Sequence, residues 1–370
     1  MSYTERVKLY QQIEKARKRP LIVYITSSRQ GPGASGIMSG DMIQEFTKQL
    51  MQIPDDKKEI DILIVSNGGD PTVPWRVISM LREKFTKISA LLPYAAFSAA
   101  TLLALGTNEI VMHPFSNLGP VDPQLTYVRP RQQGQAEEII SFGSEDIKHF
   151  IEFVRKDIGI TDQEQLEKAF EVITHDVGGI PIGVARRSSF LALEMGSKLL
   201  GLHMEDKNKA KAIAEALNTS FFYHGYPLSR TEASEIGLPV VQPNKELEEL
   251  MWNVWEDVEN EMECSKPFNP LEVVLNKPEI AALIAPVNQI QIPANLPAPI
   301  LQQVLNNVLQ QIQLVTVLPV DYSLFIATLE STNCKSEYRT LGKINAVRKP
   351  DMGIGINLVA VQQGWKYSKT

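Results

Sequence analysis

The sequence predicts an α/β protein of repeated βαβ units, followed by a smaller carboxy-terminal α+β module. Three observations predict it. Short runs rich in apolar and β-branched residues, at 21–26, 60–66, 87–92 and 109–112, alternate with helical segments; this is the rhythm of a mainly parallel sheet. The 370 residues exceed what one hydrophobic core usually organises. Beyond residue 265 the composition shifts, with Pro267, Pro270, Pro278, Pro286, Pro293, Pro297 and Pro299 in quick succession.

Each element has a local reason. Residues 4–18 read as an amphipathic helix that Pro20 stops before the strand Leu21-Ile-Val-Tyr-Ile-Thr26. The loop 27–36 holds three glycines but lacks the Lys-Ser/Thr ending of a phosphate-binding loop and the spacing of a dinucleotide fingerprint. Helices at 41–51 and 75–85 alternate with the strands at 60–66 and 87–92, and a helix starting at Ser98 leads to the strand at 109–112. After Gln124 the pattern changes. The polar stretch 129–136 reads as an exposed loop able to cover a site, and helices dominate 144–217 with a break near Gly178-Gly179-Ile-Pro181. Ser229 followed by Glu232 marks a helix start, and Gly237 closes that helix. The expected organisation is a domain over 1–242, an acidic helical connection over 243–265, and an accessory module over 266–370 with strands at 313–318, 322–329 and 353–361 and a helix at 301–311.

Composition excludes several classes. With 44% hydrophobic and 22% charged residues the chain has an ordinary globular composition. A net charge of −6 argues against a general nucleic-acid-binding surface, which needs clustered cations. Cys264 and Cys334 are too few for a disulfide framework or a thiolate zinc site, so they are expected to be free buried thiols in a reducing cytoplasm. No cofactor or metal is expected. The first fifteen residues carry charges at helical spacing and lack the apolar core of a signal peptide. The longest apolar run, 91–106, includes Pro93 and falls short of the roughly 20 residues that span a bilayer. It reads as buried core, so no membrane span is expected.

Two segments carry chemistry. The first is Ser66-Asn-Gly68-Gly69-Asp70, at the end of a strand; the second is Pro93-Tyr-Ala-Ala-Phe-Ser98-Ala99, about thirty residues later. A Gly-Gly turn tolerates positive φ and can aim unpaired N–H groups into a cleft. A hydroxyl at the start of the next helix can sit beside them. Nucleophile and oxyanion donors together are what acyl transfer requires. The bland alternative is a small packing serine in an alanine-rich helix beside an ordinary tight turn.

The pair of segments resembles the Clp/crotonase fold of serine peptidases. Three further stretches, Asn108-Glu-Ile-Val-Met-His113-Pro, Leu118-Gly-Pro-Val-Asp-Pro-Gln124 and Tyr223-His-Gly-Tyr-Pro-Leu-Ser-Arg-Thr-Glu-Ala233, resemble the serine dehydrogenase proteinase branch, related to signal peptide peptidase A. The resemblance covers about residues 20–242. It implies Ser98 as nucleophile, with Gly69 and Ala99 N–H groups as oxyanion donors and Gly68 giving the turn its freedom.

The general base is open. The resemblance to Clp peptidases places their histidine at Val121 or Asp122, so that histidine is absent here. Asp122 could orient a base or bind substrate, or simply cap a turn before Pro123. Lys148 lies 50 residues after Ser98, the spacing of the signal peptide peptidase lysine, though in a polar helix where a solvated role is commoner. His113, at a strand end, and His224, far along the chain, complete the candidates; His149 and His175 read as surface residues.

The leading function is a serine peptidase that acts on peptides or unfolded protein and assembles into a homo-oligomer, as the resemblance implies. The alternative is a noncatalytic scaffold of the same fold whose carboxy-terminal module binds a partner. Crotonase-type acyl-CoA chemistry shares the fold but uses no serine nucleophile, and the Ser98 helix argues against it.

Overall fold

The computed structural model describes residues 2–129, 138–219, 221, 223–284, 296–311, 318–349 and 353–369. Its strands are β1 (Leu21–Thr26), β2 (Glu59–Val65), β3 (Lys87–Leu92), β4 (Ala95–Ala96), β5 (Glu109–Met112), β6 (Asn117–Leu118), β7 (Leu125–Arg129), β8 (Glu138–Phe142), β9 (Leu228–Ser229), β10 (Val240–Val241), β11 (Val320–Glu330), β12 (Cys334–Arg348) and β13 (Ile354–Lys369). Ten helices matter here: α1 (Tyr3–Arg17), α2 (Met42–Leu50), α3 (Thr72–Lys84), α4 (Ala99–Leu105), α5 (Ser144–Glu152), α6 (Gln163–Val177), α7 (Gly179–Leu200), α8 (Lys207–Thr219), α9 (Arg230–Glu235) and α10 (Lys245–Met262).

The main sheet has eight strands in the order β10-β5-β3-β2-β1-β11-β12-β13. Its first five strands are mutually parallel, and the last three join antiparallel. Every residue of β1 is buried, as a strand covered on both faces requires. Ile22 and Tyr24 point into one core with Met42, Phe46, Val77, Leu102 and Leu199; Leu21, Val23 and Ile25 point into another with Tyr10, Ile13, Met251 and Val254. Thus α2, α3, α4 and α7 cover one face, while α1 and α10 cover the other. This is the mixed α/β architecture with a parallel half that the βαβ rhythm predicts.

The sheet does not break where the sequence places a boundary. Helix α10 packs on α1, and β11 pairs antiparallel with β1 from Val23↔Glu330 to Thr26↔Ala327. Arg6, fully buried, forks onto Glu330 with contacts of 3.0 and 2.8 Å and reaches Asp257 at 2.5 Å. One buried guanidinium therefore ties the first helix to the 243–265 helix and to the carboxy-terminal strands. The segment 266–370 extends the main sheet rather than forming a sheet of its own. The apolar run of β1 announces a buried strand but not the partner at its second edge.

Several elements differ from expectation. Strand β12 has no counterpart in the sequence reading, because its buried positions include Cys334, Ser336, Thr340 and Arg348, which give a weak apolar alternation. The stretch 129–136 begins at the end of β7, which pairs with β8; residues 130–137 lie outside the described residues. The expected strand at 313–318 falls almost wholly outside them too. The helical break at Gly178 is present with φ 89°, and Ser229 caps α9 by accepting from the Glu232 N–H. Both cysteines are free thiols, but only Cys334 is fully buried.

Candidate active site

Strand β2 ends at Val65, and the chain turns through Gly68 (φ 94°) and Gly69 (φ 154°). Ser66 organises the turn: its hydroxyl accepts from Thr26 Oγ1 at 2.8 Å and from the Gly68 N–H at 3.1 Å. The Gly68 carbonyl accepts from Met38 N–H, and Asp70 N–H returns to the Met38 carbonyl. Between these bonds the Gly69 N–H donates to no group among the described residues.

Ser98 stands against this turn. A Cβ at Gly68 would sit 2.6 Å from the Phe97 carbonyl and 2.8 Å from both the Ala99 nitrogen and the Ser98 Cβ, so only glycine permits the approach. Ser98 itself has φ 53° and ψ −119°, a backbone conformation rare for a residue with a side chain. Such outliers cost about 1–3 kcal/mol and cluster at functional sites. Its hydroxyl is not used to cap α4, and the Ala99 N–H at the helix start is likewise unpaired among the described residues. The four residues named for nucleophile and oxyanion chemistry are therefore brought together.

A second, three-stranded sheet in the order β4-β6-β9 gathers the rest. Ala96 pairs with Leu118 in parallel, and Leu118 pairs with Leu228 antiparallel. Ser98 follows Ala96 by two positions, Asp122 follows Leu118 by four, and His224 precedes Leu228 by four. These directions bring all three segments out at the same end. Neighbouring strands lie about 4.8 Å apart, so the outer segments are separated by about 10 Å, with the Asp122 segment between them.

Asp122 and His224 meet directly: His224 Nδ1 lies 2.7 Å from Asp122 Oδ1. The hydrogen bond that His224 Nδ1 donates to Asp122, opposed by partial burial, raises the imidazole pKa above its ordinary value. A carboxylate at Nδ1 fixes the tautomer that leaves Nε2 unprotonated and basic. No hydrogen bond joins His224 to Ser98 among the described residues. The pair borders a cavity of about 250 Å³, which Phe221, Tyr223, Ser141, Glu145 and Asn218 also line.

The other candidates lie in different settings. Lys148 is exposed and pairs with Glu145 one helical turn away. His113 is buried beneath Trp252, with ring centroids 5.4 Å apart, and its Nδ1 accepts the Phe115 N–H. Burial lowers its pKa. His175 is exposed on α6, whereas His149 lines the cavity. Sequence reasoning overlooked Ser66, Thr101 and Asn218, whose polar groups pin the backbone around the site. A buried polar side chain beside apolar neighbours is their only signal, and it does not reveal which backbone group it reaches.

A strained serine beside a glycine turn, with the Gly69 and Ala99 N–H groups unpaired among the described residues, is the arrangement that acyl transfer by a serine nucleophile requires. Residues 3–136 match the family described as ClpP-like SDH-type serine proteinase. The match includes Gly68, Gly69, Ser98 and Asp122 and stops before His224. An uncharacterized protein of Methanocaldococcus jannaschii, MJ1495, is 25% identical over 197 residues, 53% of this chain and 56% of that protein. The chain thus spans about half the length of that relative. A second uncharacterized protein of the same organism, MJ0137, is 25% identical over 243 residues, 64% of this chain and 73% of that protein. Among solved structures, the 1510-N membrane-bound stomatin-specific protease is 18% identical with a TM-score of 0.33, over 62% of this chain and 83% of that one.

Proposed function

We propose that the protein hydrolyses peptide bonds through an acyl-enzyme on Ser98, with His224 as general base and Asp122 as its orienting carboxylate. The observation that carries the reading is the 2.7 Å Asp122–His224 bond at the same end of the small sheet as the strained Ser98. His224 Nε2 takes the Ser98 proton as the hydroxyl oxygen attacks the scissile carbonyl. The resulting oxyanion accepts from the Gly69 and Ala99 N–H groups, and the imidazolium returns the proton to the leaving amine. Water then repeats the sequence to release the acid and free the serine.

The substrates that fit are peptides or unfolded protein segments, because the cavity beside the pair is small. We infer assembly into a homo-oligomer from the large apolar residues that α7 leaves exposed, Ile180, Phe190 and Leu191. No helix among the described residues is long and apolar enough to cross a membrane.

Ser98→Ala tests the reading. It should abolish peptide hydrolysis and fluorophosphonate labelling while leaving the melting curve nearly unchanged, since its neighbours Ala99 and Ala100 already show that alanine fits. Full hydrolysis by the mutant would assign the activity to a group other than Ser98, whereas a wild-type protein that neither hydrolyses peptides nor labels would favour the noncatalytic scaffold.

A further inference from the structure

We infer that Thr101 is a positioning residue for the proposed reaction: its hydroxyl fixes the segment carrying Ser98 against the segment carrying Asp122. The inference rests on the serine-peptidase reading above. Thr101 is fully buried in the first turn of α4, three residues after the nucleophile. Its Oγ1 lies 2.7 Å from the Ala96 carbonyl oxygen and 2.9 Å from that of Gly119, and it accepts the Gly119 N–H at 3.2 Å. The same N–H also reaches the Ala96 carbonyl at 3.1 Å. A hydroxyl has one proton, so it donates to one carbonyl at a time while accepting from the amide.

This is not the ordinary behaviour of a threonine in a helix. Such a residue usually returns its hydroxyl to a carbonyl three or four positions earlier in its own helix. Thr101 instead reaches back five positions to Ala96, ahead of the helix, and across to Gly119. Ala96 precedes Ser98 by two residues, and Gly119 precedes Asp122 by three. The bonds therefore sit where the two chains leave the small sheet for the site. Strands β4 and β6 are two residues long each, so the backbone ladder alone offers little to hold their spacing. On its other side Gly119 is confined by Phe97, whose ring a Cβ would strike.

The chemistry makes that spacing matter. Asp122 fixes His224, so the distance from Ser98 to the base depends on how the β4 and β6 segments lie against each other. A misplacement of about 1 Å at a reacting pair can cost about 100-fold in rate.

Four variants measured with a fluorophosphonate test this, reading the maximal inactivation rate kinact and the half-saturating concentration KI separately. Thr101→Val keeps the shape and removes the hydroxyl. It should lower kinact by about 10- to 100-fold with KI nearly unchanged, by the cost of misplacement just given. Thr101→Ala should fall equally, and Thr101→Ser, which restores the hydroxyl, should label close to the wild-type rate. Ala and Ser differ in that position by the hydroxyl alone, so they decide the matter if the valine variant does not fold. The role is overturned if folded Thr101→Val labels at the wild-type rate, if Ser is as slow as Ala, or if the loss appears in KI instead of kinact. Ser98→Ala separates the two levels. An inert Ser98→Ala beside a fully reactive Thr101→Val rejects only the positioning role, whereas an active Ser98→Ala rejects the serine reading with it.

Discussion

The Asp122 carboxylate and the His224 imidazole, 102 residues apart in sequence, lie 2.7 Å apart in the structure. An aspartate stands where the resemblance to Clp peptidases places a histidine, and a histidine arrives from a later segment. Two strands of two residues each, β6 and β9, bring them together by pairing Leu118 with Leu228.

The pairing sets a pH dependence. Hydrogen bonding to Asp122 raises His224, and only the neutral imidazole can accept the Ser98 proton. Activity should therefore rise with pH along a limb centred above the ordinary histidine value of about 6.5. In Asp122→Asn the favourable charge and bond are lost, so the limb should move to lower pH while the plateau falls by about two orders of magnitude or more, the scale on which a misoriented base acts. Fluorophosphonate labelling rates between pH 5 and 9 would show it. An unshifted limb in Asp122→Asn would mean that the titrating base is another group.

Lys148 and His113 supply the contrast. The Lys148–Glu145 pair is an exposed one-turn ion pair, a kind worth about 0–1 kcal/mol. Lys148→Ala should leave both the melting point and the labelling rate essentially at wild type. His113→Ala should also label normally but melt earlier, since it vacates the space under Trp252 and leaves the Phe115 N–H without its acceptor. The hydrogen-bond part of that loss is about 0.5–1.5 kcal/mol, because Phe115 is largely exposed and water can reach its N–H. Slow labelling in folded Lys148→Ala would move the base to the lysine and overturn the histidine assignment.

The contrast also shows what sequence can reveal. The closeness of Gly68, Gly69, Ser98 and Ala99 is readable because the glycine turn and the serine sit in short contiguous motifs. The strands β1, β3 and β5 are readable because burial on both faces demands continuous apolar runs. The Asp122–His224 contact is not readable, because it depends on strands too short to show any periodicity. Strand β12 is not readable for a different reason: its buried positions hold polar atoms such as Cys334 Sγ, which donates to Gln49 Oε1 at 3.0 Å, and Ser336 Oγ, which donates to Glu45 at 2.7 Å. Partners 280 or more residues away satisfy them, and composition carries no trace of that.

The pairing of β11 with β1 changes what a truncated chain should do. Residues 1–242 lack α10 and β11, which cover Tyr10 and Ile13 on one face and the free edge of β1 on the other. They also lack Glu330, Asp257 and Glu261, all the carboxylates on the buried Arg6. Breaking a buried ion pair by removing one side costs about 3–5 kcal/mol, a large share of a typical domain stability of about 5–15 kcal/mol. The fragment should therefore aggregate or melt without cooperativity. Within the full chain, Arg6→Met should lose a similar amount, because it leaves Glu330 and Asp257 buried without their cation. Differential scanning calorimetry of both, with light scattering on the fragment, checks the claim. A soluble 1–242 fragment with a sharp transition near that of the whole protein would show that the carboxy-terminal strands are an attachment to a sheet complete without them.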